Sequence, residues 1–273
     1  MCKVFKVSRS GFYDWLARKP SARELENEVL SNQIQEIYSK SKGRYGSPKI
    51  TMELKKSGVD VSRPRVARIM KTNGLRSVIS RKFKVGTTDS NHGFSTSPNL
   101  LNRNFSPESP SKAWVSDITY IRTKEGWLYL TMIMDLYDRK IIGWSMATSM
   151  HACETVVPAW RMARTNRPFS KGLVFHSDRG VQYACSEFRA ELDPKKVTQS
   201  MSRKANCWDN AVGESFFKIL KSETEYQQYQ SVSQAKHELF EFIESWYNRI
   251  RSHSALGYLS PEQFGIITRK AVA

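Results

Sequence analysis

No run of residues in this chain is long and apolar enough to cross a membrane. The most apolar stretch, residues 127–134, runs straight into Asp135, far short of the roughly 20 residues a spanning helix needs. The first six residues, Met1-Cys2-Lys3-Val4-Phe5-Lys6, contain no apolar segment, so no secretory signal is expected. Cysteine is scarce: Cys2, Cys153, Cys185 and Cys207 lie far apart, without a Cys-x-x-Cys pair. That spacing fits a reduced, cytosolic protein without a structural zinc, and the chemistry leaves a nuclear or organellar setting open. A Gly-rich nucleotide loop, a His-Glu-x-x-His helix and a nucleophilic Ser or Cys motif are all absent. So are internal repeats and a sustained heptad pattern.

Acidic charge is also in short supply. Forty-three Lys and Arg stand against 26 Asp and Glu, a formal net charge of +17. Such an imbalance speaks of partners, not of fold, and the expected partner is a polyanion, most often nucleic acid. An anionic membrane surface is the competing reading. The excess is uneven: residues 1–85 hold 20 basic and 7 acidic residues, a net of +13, leaving +4 for residues 86–273.

That basic portion reads as helical. A short element over 7–16 precedes three helices, at 22–39, at 47–56 and at about 63–73. Ser47 offers an N-cap with Pro48 behind it, Ser62 caps the third helix, and Gly74 stands at its C′ position. The last two helices and their tight turn form a helix-turn-helix. Val66, Ile69 and Met70 make the apolar face of the third helix, leaving Arg63, Arg65, Arg68 and Lys71 as candidate DNA contacts. The sequence thus divides into an N-terminal helical segment (1–21), a helix-turn-helix domain (22–85) and a linker (86–110) rich in Ser, Asn, Pro and Gly. A core (111–225) and a C-terminal helix with its tail (226–273) follow.

Within the core, apolar alternation predicts three antiparallel strands at 114–123, 127–134 and 140–148. Then come a helix at 153–165, a short buried strand at 173–176, a helix at 186–192, a strand at 197–201 and a long helix from about Asp209. A last helix is expected at 232–247. Three antiparallel strands followed by alternating helix and strand is the order of an RNase H-like α/β domain, here carrying a small all-α N-terminal domain.

Three acids stand at the ends of these elements: Asp117 in Trp114-Val-Ser-Asp-Ile-Thr-Tyr120, Asp178 in His176-Ser-Asp-Arg-Gly-Val-Gln-Tyr183, and Glu214 in Asn210-Ala-Val-Gly-Glu-Ser-Phe-Phe217. The strands bearing the two aspartates can pair in parallel with both carboxylates at one end of the sheet. Grouped carboxylates repel one another, and a hard divalent cation relieves that conflict. Mg²⁺ is the expected cofactor, Mn²⁺ a substitute, and two ions suit phosphoryl transfer. Lys218 and Lys221 follow Glu214 by four and seven residues on one helical face and are candidates for holding a DNA end. Asn210 either hydrogen-bonds near the metals or caps the helix. His176 is read as a packed or hydrogen-bonded side chain, and Asp135 and Asp138 as turn residues.

Between Asp178 and Glu214 lie 35 residues. With that spacing the chain resembles the DDE transposases of the retroviral integrase superfamily, and more narrowly the second-reading-frame product of the IS-three family of bacterial insertion sequences. Ser200-Met-Ser-Arg203, Asp209-Asn-Ala211, Trp246-Tyr-Asn-Arg-Ile-Arg251, Leu256-Gly-Tyr258 and Pro261 also match, so the resemblance spans nearly the whole chain. Ala205 departs from the family's usual Gly. The resemblance implies a metal-dependent DNA strand transferase that nicks the ends of a mobile element and joins the freed 3′-hydroxyl elsewhere, without a covalent intermediate. It implies double-stranded DNA as partner, a homo-oligomer on that DNA, and an upstream-frame helix-turn-helix/leucine-zipper protein acting with or fused to this one. The setting it implies is the bacterial cytoplasm, at the nucleoid. A DNA-binding regulator without activity of its own and an RNase H-like nuclease are the rival functions.

Overall fold

The computed structural model describes Cys2 and residues 4–78, 94–204, 206–224 and 229–272. Two compact units emerge, Met1–Val78 and Ile79–Ala273. The expected departure at Ala205 and residues 79–93, which include part of the expected linker, lie outside the described residues.

In the first unit, α1 (Arg9–Ala17), α2 (Ala22–Lys40), α3 (Ser47–Lys56) and α4 (Arg63–Thr72) follow in order. Ser21 and Glu24 form a reciprocal capping box that starts α2. The N-cap of α3 is Gly46, one residue earlier than read from sequence, which moves Ser47 and Pro48 into the first turn. Ser62 occupies the N-cap of α4 without a side-chain capping bond. Both helices end in the same way. Gly58 and Gly74 take φ of +81° and +68°, and Val59 N and Leu75 N donate back to Leu54 O and Met70 O at 2.9 and 2.8 Å. Only a residue without Cβ adopts this reversal freely. Leu30, Ile34, Ile50, Leu54, Val66, Ile69 and Met70 make the small core.

In the second unit, one five-stranded sheet comprises β1 (Ala113–Thr123), β2 (Gly126–Asp135), β3 (Ile141–Ala147), β4 (Leu173–Ser177) and β5 (Val197–Met201). The strand order is β3-β2-β1-β4-β5. The first three strands are antiparallel, and β4 pairs parallel with both β1 and β5. This is the RNase H-like arrangement expected from sequence. Helices α5 (Val156–Asn166), α6 (Val181–Ala184) and α7 (Ser186–Glu191) cover one face. There Trp114, Ile133, Ile142, Trp160, Phe175, Tyr183 and Phe188 form a continuous apolar core. Gly143 lets α5 cross β3 closely: a Cβ there would lie 2.3 Å from the Ala159 carbonyl oxygen. Helix α8 (Ala211–Glu223) packs on β1 through Phe216, Phe217 and Leu220, which stand outside that core.

The chain then runs through α9 (Val232–Phe240), which widens to a π-helix over Glu241–Tyr247, and ends in α10 (Pro261–Val272). The sequence reading did not contain α10. Asn248 clamps this region to the sheet edge, donating to Ile141 O (3.0 Å) and accepting from Ile141 N (2.9 Å).

Two expectations need revision. Part of the expected linker is bound to the core: Leu100 N and Leu101 N donate to Ser200 Oγ at 2.9 and 3.2 Å, and Arg139 donates to Phe105 O at 2.7 Å. Asp135 and Asp138 do bracket the β2–β3 turn and accept its N–H groups from Tyr137 and Lys140. Both are also buried and share Arg167, at 2.8 and 2.6 Å. Burial raises the Asp135 carboxyl, and Arg167 opposes it.

Removing one member of such a buried set strands the others. Arg167→Met should therefore lower stability by about 3–5 kcal/mol at neutral pH, read by urea denaturation. The loss should narrow as pH falls toward about 4, because protonation then spares Asp135 its uncompensated charge in the folded state. An unchanged midpoint across that range would contradict the assignment.

Candidate active site

The pairing of β1 with β4 sets the position of the first two acids. Ala113, Trp114 and Val115 lie opposite Val174, Phe175 and His176. Continued by two residues, that register brings Asp117 level with Asp178. Strand alternation points Asp117 away from the face that carries Trp114, toward α8, and Asp178 follows directly on the end of β4. Asp117 accepts from Ile118 N (2.9 Å), and Asp178 accepts from Gly180 N (2.9 Å) in an Asx turn just past β4.

Glu214 arrives from the first turn of α8. Its neighbour Gly213 lies against Asp117: a Cβ there would meet the Asp117 Cβ at 3.1 Å and Oδ2 at 3.2 Å. The glycine is thus the contact that lets the helix start come down on the strand. Asn210 stands at the N-cap but makes no capping bond. Its Nδ2 donates to Ser116 O (3.4 Å), while its buried Oδ1 has no partner and lies 3.2 Å from the same Gly213 Cβ position. Of the two roles read from sequence, capping is therefore the one it does not perform.

The three acids sense one another. Asp117 is pushed well above the usual carboxylate range, first by burial and then by the charge of Asp178, with Glu214 adding to the effect. Glu214 is raised by partial burial and by Asp178. The Tyr183 phenol, bonded to Ser116 Oγ at 2.7 Å, is raised by burial and by both aspartates, so it stays neutral. Lys221 is the counterweight: only 9% exposed, it interacts with Asp117, although burial lowers its own pKa. Lys218, on the same helix, is exposed. The two lysines read together from sequence therefore occupy different environments.

Among the described residues, no group of three His, Cys, Asp or Glu side chains is placed to hold a metal ion by itself. The donor set nevertheless suits Mg²⁺: all-oxygen, mutually repelling carboxylates and an unpaired amide oxygen. Mg²⁺ takes one or two carboxylates and keeps water, so its protein ligands need not all converge on one point.

A second cluster holds the start of α8. The Asp209 carboxylate, fully buried, accepts from Arg203 N (3.0 Å), Arg203 Nε (2.8 Å) and Arg103 Nε (2.9 Å). These partners hold its carboxyl far below the usual range. Arg103 lies 106 residues from Asp209 and carries no local sequence signal. His176 is buried between Ser200 Oγ (2.8 Å) and Ser202 Oγ (3.2 Å), and burial pushes it down to about 4. It is a packed histidine, as read.

In the first unit Arg63, Arg68 and Lys71 project from α4 into solvent. Arg65 instead turns to α2, donating to Asn27 Oδ1 (2.9 Å) and Glu26 Oε2 (3.0 Å). Helical periodicity cannot distinguish these two fates.

Comparison with known proteins follows the same division. Residues 24–83 match the model of an HTH-like domain, and residues 107–207 and 195–261 match models of the integrase core domain. The chain is 41% identical over 265 residues to the insertion element IS600 uncharacterized 31 kDa protein of Shigella sonnei, covering 97% of each. It is 40% identical over 267 residues to the transposase InsF for insertion sequence IS3A of Escherichia coli (strain K12), covering 97% of this chain and 92% of that one. Among solved structures, a chain of the simian T-cell lymphotropic virus intasome aligns with TM-score 0.47 and 13% identity, over 85% of this chain and 73% of that chain. The catalytic core domain of HTLV-2 integrase in complex with magnesium aligns with TM-score 0.41 and 15% identity, over 57% of this chain and 95% of that chain.

The raised carboxyls yield a prediction about the metal-free protein. An acid whose pKa is higher folded than unfolded costs stability once pH exceeds the unfolded value, about 3.9 for Asp. Asp117→Asn keeps the shape and the acceptor for Ile118 N but removes the charge. In chelator at pH 8 it should raise the melting temperature, by about 2–4 °C for each kcal/mol of repulsion relieved. The gain should vanish as pH approaches 4. A lower melting temperature at pH 8 would mean that the charge is well compensated.

Proposed function

From the premise that this chain belongs to the IS3 family of insertion-sequence transposases, we propose that Asp117, Asp178 and Glu214 are its catalytic carboxylates. The reaction is polynucleotidyl transfer on DNA: one strand is cut at an element end, and the freed 3′-hydroxyl attacks a second phosphodiester. The observation that supports the assignment is the parallel β1–β4 register, which runs to Val115 and His176, two residues short of Asp117 and Asp178, together with the close approach of Gly213 to Asp117.

The three carboxylates are the groups that would hold Mg²⁺ or Mn²⁺, two ions in all. Bound there, the metal supplies Lewis acidity that activates the attacking oxygen and stabilises the leaving one. The chain's own residues do the rest. Asp117 and Asp178 are fixed by the sheet and by their backbone partners, so their oxygens need no reorganisation. Asn210 offers its unpaired Oδ1 beside them, an acceptor for the hydroxyl or water that attacks. Lys221 offsets part of the acidic field from within α8, and exposed Lys218, one turn past Glu214, meets the phosphates of the DNA end. Arg63, Arg68 and Lys71 of α4 bind DNA, and Arg65 braces α4 against α2. The protein works as a homo-oligomer on DNA at the nucleoid, with or fused to its upstream-frame partner.

Asp117→Asn, Asp178→Asn and Glu214→Gln should each cut strand transfer by at least about a thousandfold, equivalent to about 4 kcal/mol in the barrier. DNA affinity in chelator should be retained. Mg²⁺ should raise the melting temperature of the wild type and of none of the three variants. Near-normal strand transfer in any one would remove that residue from the set.

Arg63→Ala/Arg68→Ala/Lys71→Ala should weaken duplex binding and flatten the dependence of log K on log salt by about 2–3 units, if each contacts one phosphate. A slope equal to that of the wild type would return α4 to the role of a solvated helix.

A further inference from the structure

Trp208 is the most exposed large apolar side chain among the described residues of the second unit, at 69%. Its surroundings are not loose. It sits in a 3-10 turn, Cys207–Asn210, that leads into α8. Its neighbour Asp209 is fully buried and takes hydrogen bonds from Arg203 and Arg103, and Arg103 also donates to Asn206 Oδ1 at 3.2 Å. The turn is therefore held from both sides while the indole it bears is left in water.

Indoles left exposed on a fixed turn commonly await a partner, and the setting indicates its chemistry. Arg203 and Lys204 are exposed just ahead of it, and the Arg103 and Arg203 side chains are 45% and 50% exposed. A protein-docking tryptophan belongs in a contiguous apolar patch, whereas the turn here is polar and basic. A flat aromatic face rimmed by guanidinium groups is the construction that stacks a nucleobase while balancing its phosphates. The location adds a second, independent observation. Two residues on, the nine-tenths-buried Asn210 carries an unpartnered Oδ1 beside Asp117, and Glu214 follows one turn later.

We infer that Trp208 is a stacking platform for an unpaired base at the DNA end, adjoining the carboxylate site. Within a duplex both faces of an interior base are covered by its neighbours and the last pair leaves a single face bare, so an indole reaches the bases behind that face only where the terminal pairs have opened. Trp208 thereby holds the end splayed, so that one strand enters the site free of its complement. Stacking is indifferent to base identity, so the platform selects opened ends and not a sequence. The inference deepens the reading of Asp117, Asp178 and Glu214 as DNA-cleaving carboxylates and rests on it.

The test uses the full chain with Trp208→Ala, Trp208→Phe and Trp208→Tyr. Exposure of the indole means that none of these removes core packing, and their melting temperatures should match the wild type. Affinity is measured in chelator, so that no chemistry occurs, for a blunt duplex end and for the same end with its last three pairs mismatched. The wild type should prefer the forked end, Trp208→Ala should lose about 5- to 100-fold on it and little on the blunt one, and Phe or Tyr should keep most of the preference. With Mg²⁺, end cleavage should fall in Trp208→Ala and recover in the aromatic variants. Equal fork preference in wild type and Trp208→Ala overturns the inference. So does a change in oligomeric state without a change in fork preference, which would make the indole a protein contact. A wild type that fails to cleave would instead count against the carboxylate reading, and the chelator measurement would still decide on Trp208.

Discussion

The parallel pairing of β1 with β4 is the constraint on which the rest of the second unit depends. β1 is fixed along almost its whole length by β2, and β4 joins its other edge through only three paired residues. A slip of one residue in so short a ladder would turn one of the two aspartates to the opposite face. Aromatic packing prevents it. Trp114 and Phe175 are register partners on the same face, and both are wedged against Trp160, with ring centroids 5.6 and 5.3 Å away. The apolar face of the sheet thus fixes the geometry of the polar one.

Helix α8 is held at both ends by buried carboxylates. At its start Asp209 binds Arg203 and Arg103. At its end Glu223 binds Arg251 (3.0 Å) and Trp246 Nε1 (2.8 Å). Each clamp draws on distant sequence, from residue 103 on one side and residue 251 on the other, so the helix bearing Glu214 is anchored by segments that otherwise look peripheral. This gives a physical reason for the closing Trp246-Tyr-Asn-Arg-Ile-Arg251 string: two of its residues complete the anchor at the end of α8.

What was legible in the sequence follows from the range of the signals. Strand alternation, glycine stops and the 35-residue interval are local or periodic, and they located the sheet order, the ends of α3 and α4, and the elements bearing Asp117, Asp178 and Glu214. Pairings over long distances were not legible. Asp135 and Asp138 announced their turn, but nothing near them announced Arg167. Asp209 stood in a recognisable string, yet Arg103 lay in a stretch whose composition reads as linker. The outward basic face of α4 was visible, but not that α2 would claim Arg65. Helix α10 escaped because Gly265 interrupts a short pattern; in the structure it docks through Phe264 on Tyr137, at 5.5 Å between ring centroids.

The distribution of acids paired with arginine explains how a strongly basic chain can contain a site that repels phosphate. Asp135, Asp138, Asp209 and Glu223 are each neutralised by a buried or half-buried arginine, so their charge is spent on structure. Asp117 is opposed within the fold by Lys221, whose own charged form is disfavoured by burial, while Asp178 and Glu214 add to the repulsion. The excess of Lys and Arg elsewhere draws a polyanion toward the protein, while the local field of three carboxylates resists the approach of its phosphates to this one point. Divalent cations reverse that local sign without altering the long-range attraction. On the proposed assignment, dependence on metal is therefore more than a requirement of the chemical step. It is the electrostatic condition for the scissile phosphate to seat among the carboxylates: without cations the protein still binds DNA by its basic surfaces but holds that phosphate off.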